Sequence, residues 1–156
     1  MIERQLSLPV EADTLALGAV LAHWLEPGET LHLHGDLGAG KTTLVRGLLR
    51  ALDYEGPVKS PTYTLVESYP LAGKTIHHFD LYRITDPEEL EFLGLDEYFR
   101  PDSIALIEWP ERGQGGLPPP VARLELSRQG DGRLARLQLD EKRTNALDFL
   151  LKSTQY

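Results

Sequence analysis

Gly35-Asp36-Leu37-Gly38-Ala39-Gly40-Lys41-Thr42 decides how the rest of the chain is read. It matches G-x-x-x-x-G-K-[ST], the loop that wraps nucleotide phosphates. The glycines let the backbone curl so that successive N–H groups face one anion. A helix opening at Lys41 adds the positive end of its dipole. Lys41 supplies a point charge for the β- and γ-phosphates, and the Thr42 hydroxyl can ligate Mg²⁺. Outward from the loop, Thr30–His34 reads as a short strand leading in, and Lys41–Leu52 as a helix leading out.

The flanking sequence extends this strand–loop–helix unit in both directions. Ile2, Leu6 and Leu8 share one parity, which predicts a strand ending at Pro9. Leu17, Val20, Leu21 and Trp24 recur at helical spacing across Glu11–Leu25, and Pro27-Gly28 stops that helix. Tyr63–Ser68 and Thr75–Leu81 are β-rich runs around Leu71-Ala72-Gly73-Lys74, a predicted hairpin. Val121–Ser127 and Arg133–Leu139 alternate around Gln129-Gly130-Asp131-Gly132, a second one. Asp86-Pro87-Glu88-Glu89 opens a helix with Leu90 and Leu93 inward and Glu88 and Glu91 outward, closed by Gly94. Thr144 caps a last helix through Leu151. Gly113–Pro120 reads as a loop within a single domain spanning 1–156. Tight hairpins join only antiparallel strands, so the prediction is an α/β fold of the P-loop NTPase kind. Its central sheet mixes parallel and antiparallel strands and is flanked by helices.

Ser103–Ile107 is an apolar run that ends in Glu108. An acid at the C-terminal end of such a strand can reach Mg²⁺ directly or through water; the alternative is a solvated Glu on an ordinary buried strand. Lys59-Ser60-Pro61-Thr62-Tyr63-Thr64 fits a switch segment with a hydroxyl near the γ-phosphate, and equally a plain Ser-Pro turn. In His77-His78-Phe79-Asp80-Leu81-Tyr82-Arg83, period 2 sets His78 and Asp80 on one face. Asp80 either orients a water or holds Mg²⁺, and Arg83 either meets a phosphate or forms an ion pair with Asp80. A metal site from His32, His34, His77 and His78 is the weaker reading of the histidines. Trp109 either packs at a rim or lies near the nucleotide.

Composition narrows the function. The 156 residues carry 16 Lys and Arg against 24 Asp and Glu, a formal −8. That balance disfavours unspecific grip on nucleic acid. With no Cys there is neither a disulfide framework nor a thiolate metal site. No apolar run reaches membrane-spanning length, and the start MIERQLSLPVEAD lacks a leader's apolar core. A cytoplasmic protein with no membrane association is expected.

GDLGAGKTT, KSPTYTLVE, HFDLYR, DPEELEFLG and IEWPE occur in that order. Together they resemble the bacterial TsaE family, the P-loop ATPase of tRNA threonylcarbamoyladenosine biosynthesis, from about Leu8 to about Leu139. The resemblance implies an ATP- and Mg²⁺-dependent protein acting with TsaB and TsaD. It does not transfer the threonylcarbamoyl group itself, and it meets tRNA only through that complex. Carried onto this sequence, Asp36, Leu37, Gly38, Ala39, Gly40, Lys41, Thr42 and Thr43 hold the phosphates, and Thr42 and Glu108 ligate Mg²⁺. Asp80 is needed for function alongside Lys41 and Glu108, and Thr62 sits in the switch. Glu11, Glu111 and Arg133 complete the nucleotide pocket. No Arg has an obvious claim to stabilise charge developing on the γ-phosphate, so slow hydrolysis by the lone protein, raised by partners, is expected. A small-molecule kinase would need an Arg-bearing lid where this chain has acidic DPEELEFLGLDEYF. A signalling GTPase would need an N-K-x-D that the chain lacks. A nucleotide-gated binding module with negligible hydrolysis is the third alternative.

Overall fold

A computed structural model describes residues 1–113 and 115–154. Gln114, within the predicted Gly113–Pro120 loop, lies outside the described residues. In chain order the elements are β1 (Ile2–Leu8), α1 (Glu11–Trp24), β2 (Thr30–His34), α2 (Lys41–Ala51), β3 (Val66–Leu71) and β4 (Lys74–Asp80). Two 3-10 segments, Pro87–Leu93 and Leu95–Glu97, precede β5 (Ser103–Glu108). A 3-10 turn (Pro110–Gly113), β6 (Ala122–Gln129), β7 (Gly132–Leu139), another 3-10 turn (Glu141–Arg143) and α3 (Thr144–Ser153) complete it. These elements fall into two compact units: residues 1–25, 34–58 and 122–156, and residues 26–33 and 59–121.

In the first unit β1, β7 and β6 pair antiparallel, with Ile2 opposite Leu139 and Leu124 opposite Leu137. Alternation sends Leu124, Leu126, Leu137 and Leu139 into the core. It sends Glu3, Glu125 and Arg136 outward, where the Arg136 guanidinium bridges both carboxylates at 3.0 and 3.3 Å. The α1 positions predicted at helical spacing (Leu17, Val20, Leu21 and Trp24) are buried. The Trp24 indole N–H donates to the Arg143 carbonyl at 3.0 Å. Helices α1 and α2 meet backbone to backbone through two glycines. A Cβ on Gly18 would lie 2.2 Å from the Leu44 carbonyl oxygen, and one on Gly47 2.2 Å from that of Leu15. Asp148 of α3 holds Arg4 of β1 at 3.0 Å.

The second unit orders its strands β2-β5-β4-β3. The first two pairings are parallel and the last is antiparallel. The apolar β5 is buried along its whole length, as expected of a strand flanked on both sides. Phe79, Leu81, Ile84, Leu90, Ala105 and Ile107 form this unit's core, with Leu93, Tyr98, Phe99 and Trp109 packed around it. Both hairpins turn through two residues, Ala72-Gly73 and Gly130-Asp131. The mixed α/β architecture read from the sequence is the one found.

Local differences have local causes. The predicted strand from Tyr63 starts only at Val66, because Pro61–Leu65 closes a turn by Leu65 N–H to Pro61 O at 2.9 Å, with Leu65 at φ 69°. The segment after Asp86 is 3-10 rather than α-helical. Its start is as read, with Asp86 accepting from the Glu88 N–H at 2.9 Å and Gly94 closing it at φ 64°. Thr144 does not cap α3. Asp140 accepts from the Lys142 N–H at 2.9 Å and starts a 3-10 turn that runs into the helix, where Thr144 donates back to the Asp140 carbonyl.

Candidate phosphate-binding loop and acidic strand ends

The first unit carries the glycine loop. Gly40, at φ 106°, is the last residue before α2, a conformation that a side chain would strain. The loop is tied internally by Ala39 N–H to Asp36 O at 3.0 Å, and the Lys41 ammonium donates to the Gly35 carbonyl. Leu37 is fully exposed at the loop's tip, while Ala39 is buried. Arg133, at the start of β7, is hydrogen-bonded to the loop's carbonyls. Its Nε donates to Ala39 O at 3.0 Å, one terminal nitrogen to Gly38 O at 3.1 Å and the other to Gly132 O at 2.9 Å. A trans peptide points its C=O and N–H to opposite sides. Holding the Ala39 carbonyl outward therefore turns the Gly40 N–H the other way.

Beside the loop lies a cleft of about 220 Å³ lined by Glu11, Gly40, Thr43 and Arg133, with Leu8, Val10, Thr14, Asp131 and Gly132. Three residues assigned to the nucleotide pocket in separate motifs (Glu11, Thr43 and Arg133) thus share one wall. The sequence did not single out the other five: Leu8, Val10 and Thr14 fall at the junction of β1 with α1, directly beside Glu11, and Asp131 and Gly132 at the β6–β7 turn, directly before Arg133. Glu11 itself is exposed and stands 3.9 Å from Arg46.

The second unit carries the acids. Asp80 and Glu108 end adjacent parallel strands and are partners in register; both are buried, at 6% and 4% exposure. One Asp80 oxygen accepts the Tyr82 N–H at 3.0 Å, and the other faces the Thr62 hydroxyl at 3.4 Å. Thr62 also shares a 2.7 Å hydrogen bond with Ser60. The candidates Thr62, Asp80 and Glu108 are therefore grouped, and the Lys59–Thr64 segment touches Asp80. Glu108 Oε2 lies 2.6 Å from His78 Nε2, a contact the period-2 reading of His78 did not anticipate. Glu111 is exposed on the 3-10 turn after β5.

Arg83 and Trp109 each have defined local contacts. Among the described residues Arg83 makes no ion pair with Asp80; its guanidinium lies over the Tyr63 ring at 5.2 Å. Trp109 packs on the rim of the second unit's core, 5.0 Å from the Tyr82 ring with the Arg112 guanidinium over both. Its φ of 57° is a costly conformation for a bulky side chain. His77 is hydrogen-bonded to Ser68 at 2.7 Å and sits edge-on to Tyr98. Burial holds its imidazole below the usual histidine range, with Asp102 pulling partly the other way. Among the described residues no three His, Asp or Glu side chains form a metal-binding group.

The donor chemistry fits a metal-bound nucleotide. Backbone amides at a helix start, one Lys and a Thr hydroxyl suit phosphate. The buried carboxylates offer the hard oxygen donors that Mg²⁺ prefers, with phosphates and water completing its shell.

The family model for threonylcarbamoyl adenosine biosynthesis protein TsaE matches residues 8–136. The chain belongs to the TsaE family. A Haemophilus influenzae tRNA threonylcarbamoyladenosine biosynthesis protein TsaE is 57% identical over 116 residues, 71% of this chain and 73% of that one. The Rickettsia felis protein of the same name is 36% identical over 145 residues, 92% and 84% of the two chains. The crystal structure of Bacillus subtilis YdiB has a TM-score of 0.77 at 26% identity, covering 99% of this chain and 97% of that one. The TsaE match spans both the glycine loop and the acidic strand ends. No helix among the described residues is long and apolar enough to cross a membrane.

Proposed function

We propose that the chain is the ATP-binding and ATP-hydrolysing component of tRNA threonylcarbamoyladenosine formation, working in the cytoplasm with TsaB and TsaD and meeting tRNA through them. The observation that carries this reading is the glycine loop at the start of α2, two of whose carbonyls are held by Arg133, in a chain of this family. Lys41 and the loop amides bind the β- and γ-phosphates, and the cleft beside Glu11, Thr43 and Arg133 takes the nucleoside end. Thr42 and Glu108 hold Mg²⁺, which neutralises charge on the phosphate oxygens when bound. Asp80, tied to Thr62, positions the attacking water.

Arg83 is stacked on Tyr63, which supports slow turnover by the protein alone. An arginine placed on the transferring phosphate is worth roughly 10³–10⁵ in rate. Docking with TsaB and TsaD supplies or repositions such a charge. The same linkage makes assembly tighten ATP binding by the factor by which ATP tightens assembly. The test is steady-state ATPase at fixed Mg²⁺, alone and with the TsaB–TsaD pair, with Lys41→Ala as background. Partner stimulation is expected. Rapid turnover by the lone protein, indifferent to the pair, would move an autonomous ATPase or a small-molecule kinase to the front.

A further inference from the structure

Glu108 stands where many phosphate-loop enzymes place a shorter Asp, and the extra methylene adds a rotor that must be fixed. His78 lies on the neighbouring strand two residues before Asp80, Glu108's partner in register, so its ring reaches the Glu108 carboxylate diagonally on one sheet face. The side chains are 0% and 5% exposed, and Nε2 meets Oε2 at 2.6 Å. Among the described residues His78 Nδ1 has no hydrogen-bond partner. An ionised carboxylate only accepts, so Nε2 is the donor of the contact.

We propose that His78 is the positioning residue for Glu108: its Nε2–H fixes the carboxylate's rotamer and plane, so that Glu108 meets the magnesium of a bound nucleotide without reorganising. This rests on the reading of Glu108 as a magnesium ligand. Hydrogen-bond partners of a ligating side chain typically govern metal affinity by 10–100-fold. His78 touches neither phosphate nor metal in this role; it acts through Glu108 alone.

Four variants of the full chain test it (His78→Leu, His78→Gln, Glu108→Gln and the double His78→Leu/Glu108→Gln), with ATP affinity measured by calorimetry in the presence of Mg²⁺ and of a chelator. His78→Leu, which has no donor, should raise the half-saturating Mg²⁺ concentration about tenfold and leave chelator-stage affinity within twofold. His78→Gln, whose amide nitrogen substitutes for Nε2, should stay within about threefold of the parent; if His78→Leu does not fold, His78→Met, also without a donor, takes its place. Adding His78→Leu to Glu108→Gln should cost nothing further, because coupled residues fail to add. Imidazole ¹⁵N spectra of the nucleotide-free protein supply a readout without ligand: they should show the Nε2–H tautomer.

An unchanged Mg²⁺ requirement in His78→Leu, when Glu108→Gln does raise it, overturns the positioning role alone. So do equal losses with and without metal, additive losses in the double variant, or an Nδ1–H tautomer. An unchanged requirement in Glu108→Gln overturns the metal-ligand reading of Glu108 and the role of His78 with it.

Discussion

The two compact units divide the charge of the chain unevenly. Residues 1–25, 34–58 and 122–156 hold 11 Asp and Glu against 11 Lys and Arg, a net of zero; residues 26–33 and 59–121 hold 13 against 5 and so carry the entire −8. The neutral unit uses its charges in pairs, Arg4 with Asp148 and Arg136 with Glu3 and Glu125. Among the described residues it also contains the three α-helices, together with the glycine loop. The helices described in the acidic unit are all 3-10, and its Arg83 and Arg112 lie over aromatic rings. A phosphate loop benefits from surroundings without excess negative charge. Carboxylates for a metal have the opposite requirement, and they sit where acid is concentrated. The glycine-mediated helix packing and the glycine loop thus go with one unit, the buried Asp80 and Glu108 carboxylates with the other.

The comparison is open to attack first through packing. Gly18→Ala would place a methyl 2.2 Å from the Leu44 carbonyl, and rigid backbone cannot yield as a side chain can. Overpacking of this kind costs about 3 kcal/mol, readable as a lowered urea midpoint with unchanged slope. A loss under about 0.5 kcal/mol would show that α1 and α2 slide freely, contrary to a rigid first unit.

Next comes the separation of binding from turnover. Lys41→Ala should weaken ATP binding about 100-fold, the scale of a lost charge-assisted contact, in a protein that still melts cooperatively. Asp80→Ala should leave affinity within about threefold and lower hydrolysis, alone or with the partner pair, at least about tenfold. If Asp80→Ala loses affinity as badly as Lys41→Ala, both units bind and the division of labour is gone.

The smallest effects are those of acid, and they should differ between the units. His77 in the acidic unit titrates below its ordinary range. The unfolded chain therefore takes up its proton first, and stability falls as pH drops from about 6.5 toward the lower folded value. Asp148 in the neutral unit is lowered by its hydrogen bond to Arg4. Its contribution is complete above about 3.9 and disappears only as pH falls through the lowered folded value. Both partners are partly exposed, so solvent screens this pair and its share of stability is small. Unfolding free energies at several pH values should show His77→Gln flattening the slope just below pH 6.5 and Asp148→Asn flattening only the strongly acid limb. Identical profiles for the two variants would remove the distinction.

How far the sequence revealed this molecule depended on the range of each interaction. The glycine loop, both two-residue hairpins, the alternating β1 and the fully apolar β5 were legible because each pattern is complete within a dozen residues. Asp86, Pro87 and Gly94 marked the ends of their segment correctly, but they do not distinguish a 3-10 from an α-helix over seven residues. The Pro61–Leu65 turn hid the true start of β3, since Leu65 looks like a strand residue and gives no sign of its positive φ. At the site, residue types placed Lys41, Thr42, Asp80 and Glu108 at element ends. What holds them was not legible. Arg133 meets carbonyls 94 and 95 residues away, and His78 reaches Glu108 through strand register, neither of which leaves a periodic trace. The Asp80–Arg83 ion pair, one of the two readings of that motif, is absent among the described residues for a similar reason: Tyr63, twenty residues upstream, takes the guanidinium.

Arg133 has a consequence for the entropy of binding. A flexible glycine loop ordinarily loses conformational freedom when an anion captures it, and that loss subtracts from affinity. Here two of its carbonyls are already immobilised by a guanidinium, so the entropy is surrendered when the chain folds rather than when the nucleotide arrives. Calorimetry of ATP binding should therefore show a modest entropic penalty. Replacing Arg133 by Lys, which keeps the charge but lacks the fork, should make that penalty larger at nearly constant enthalpy.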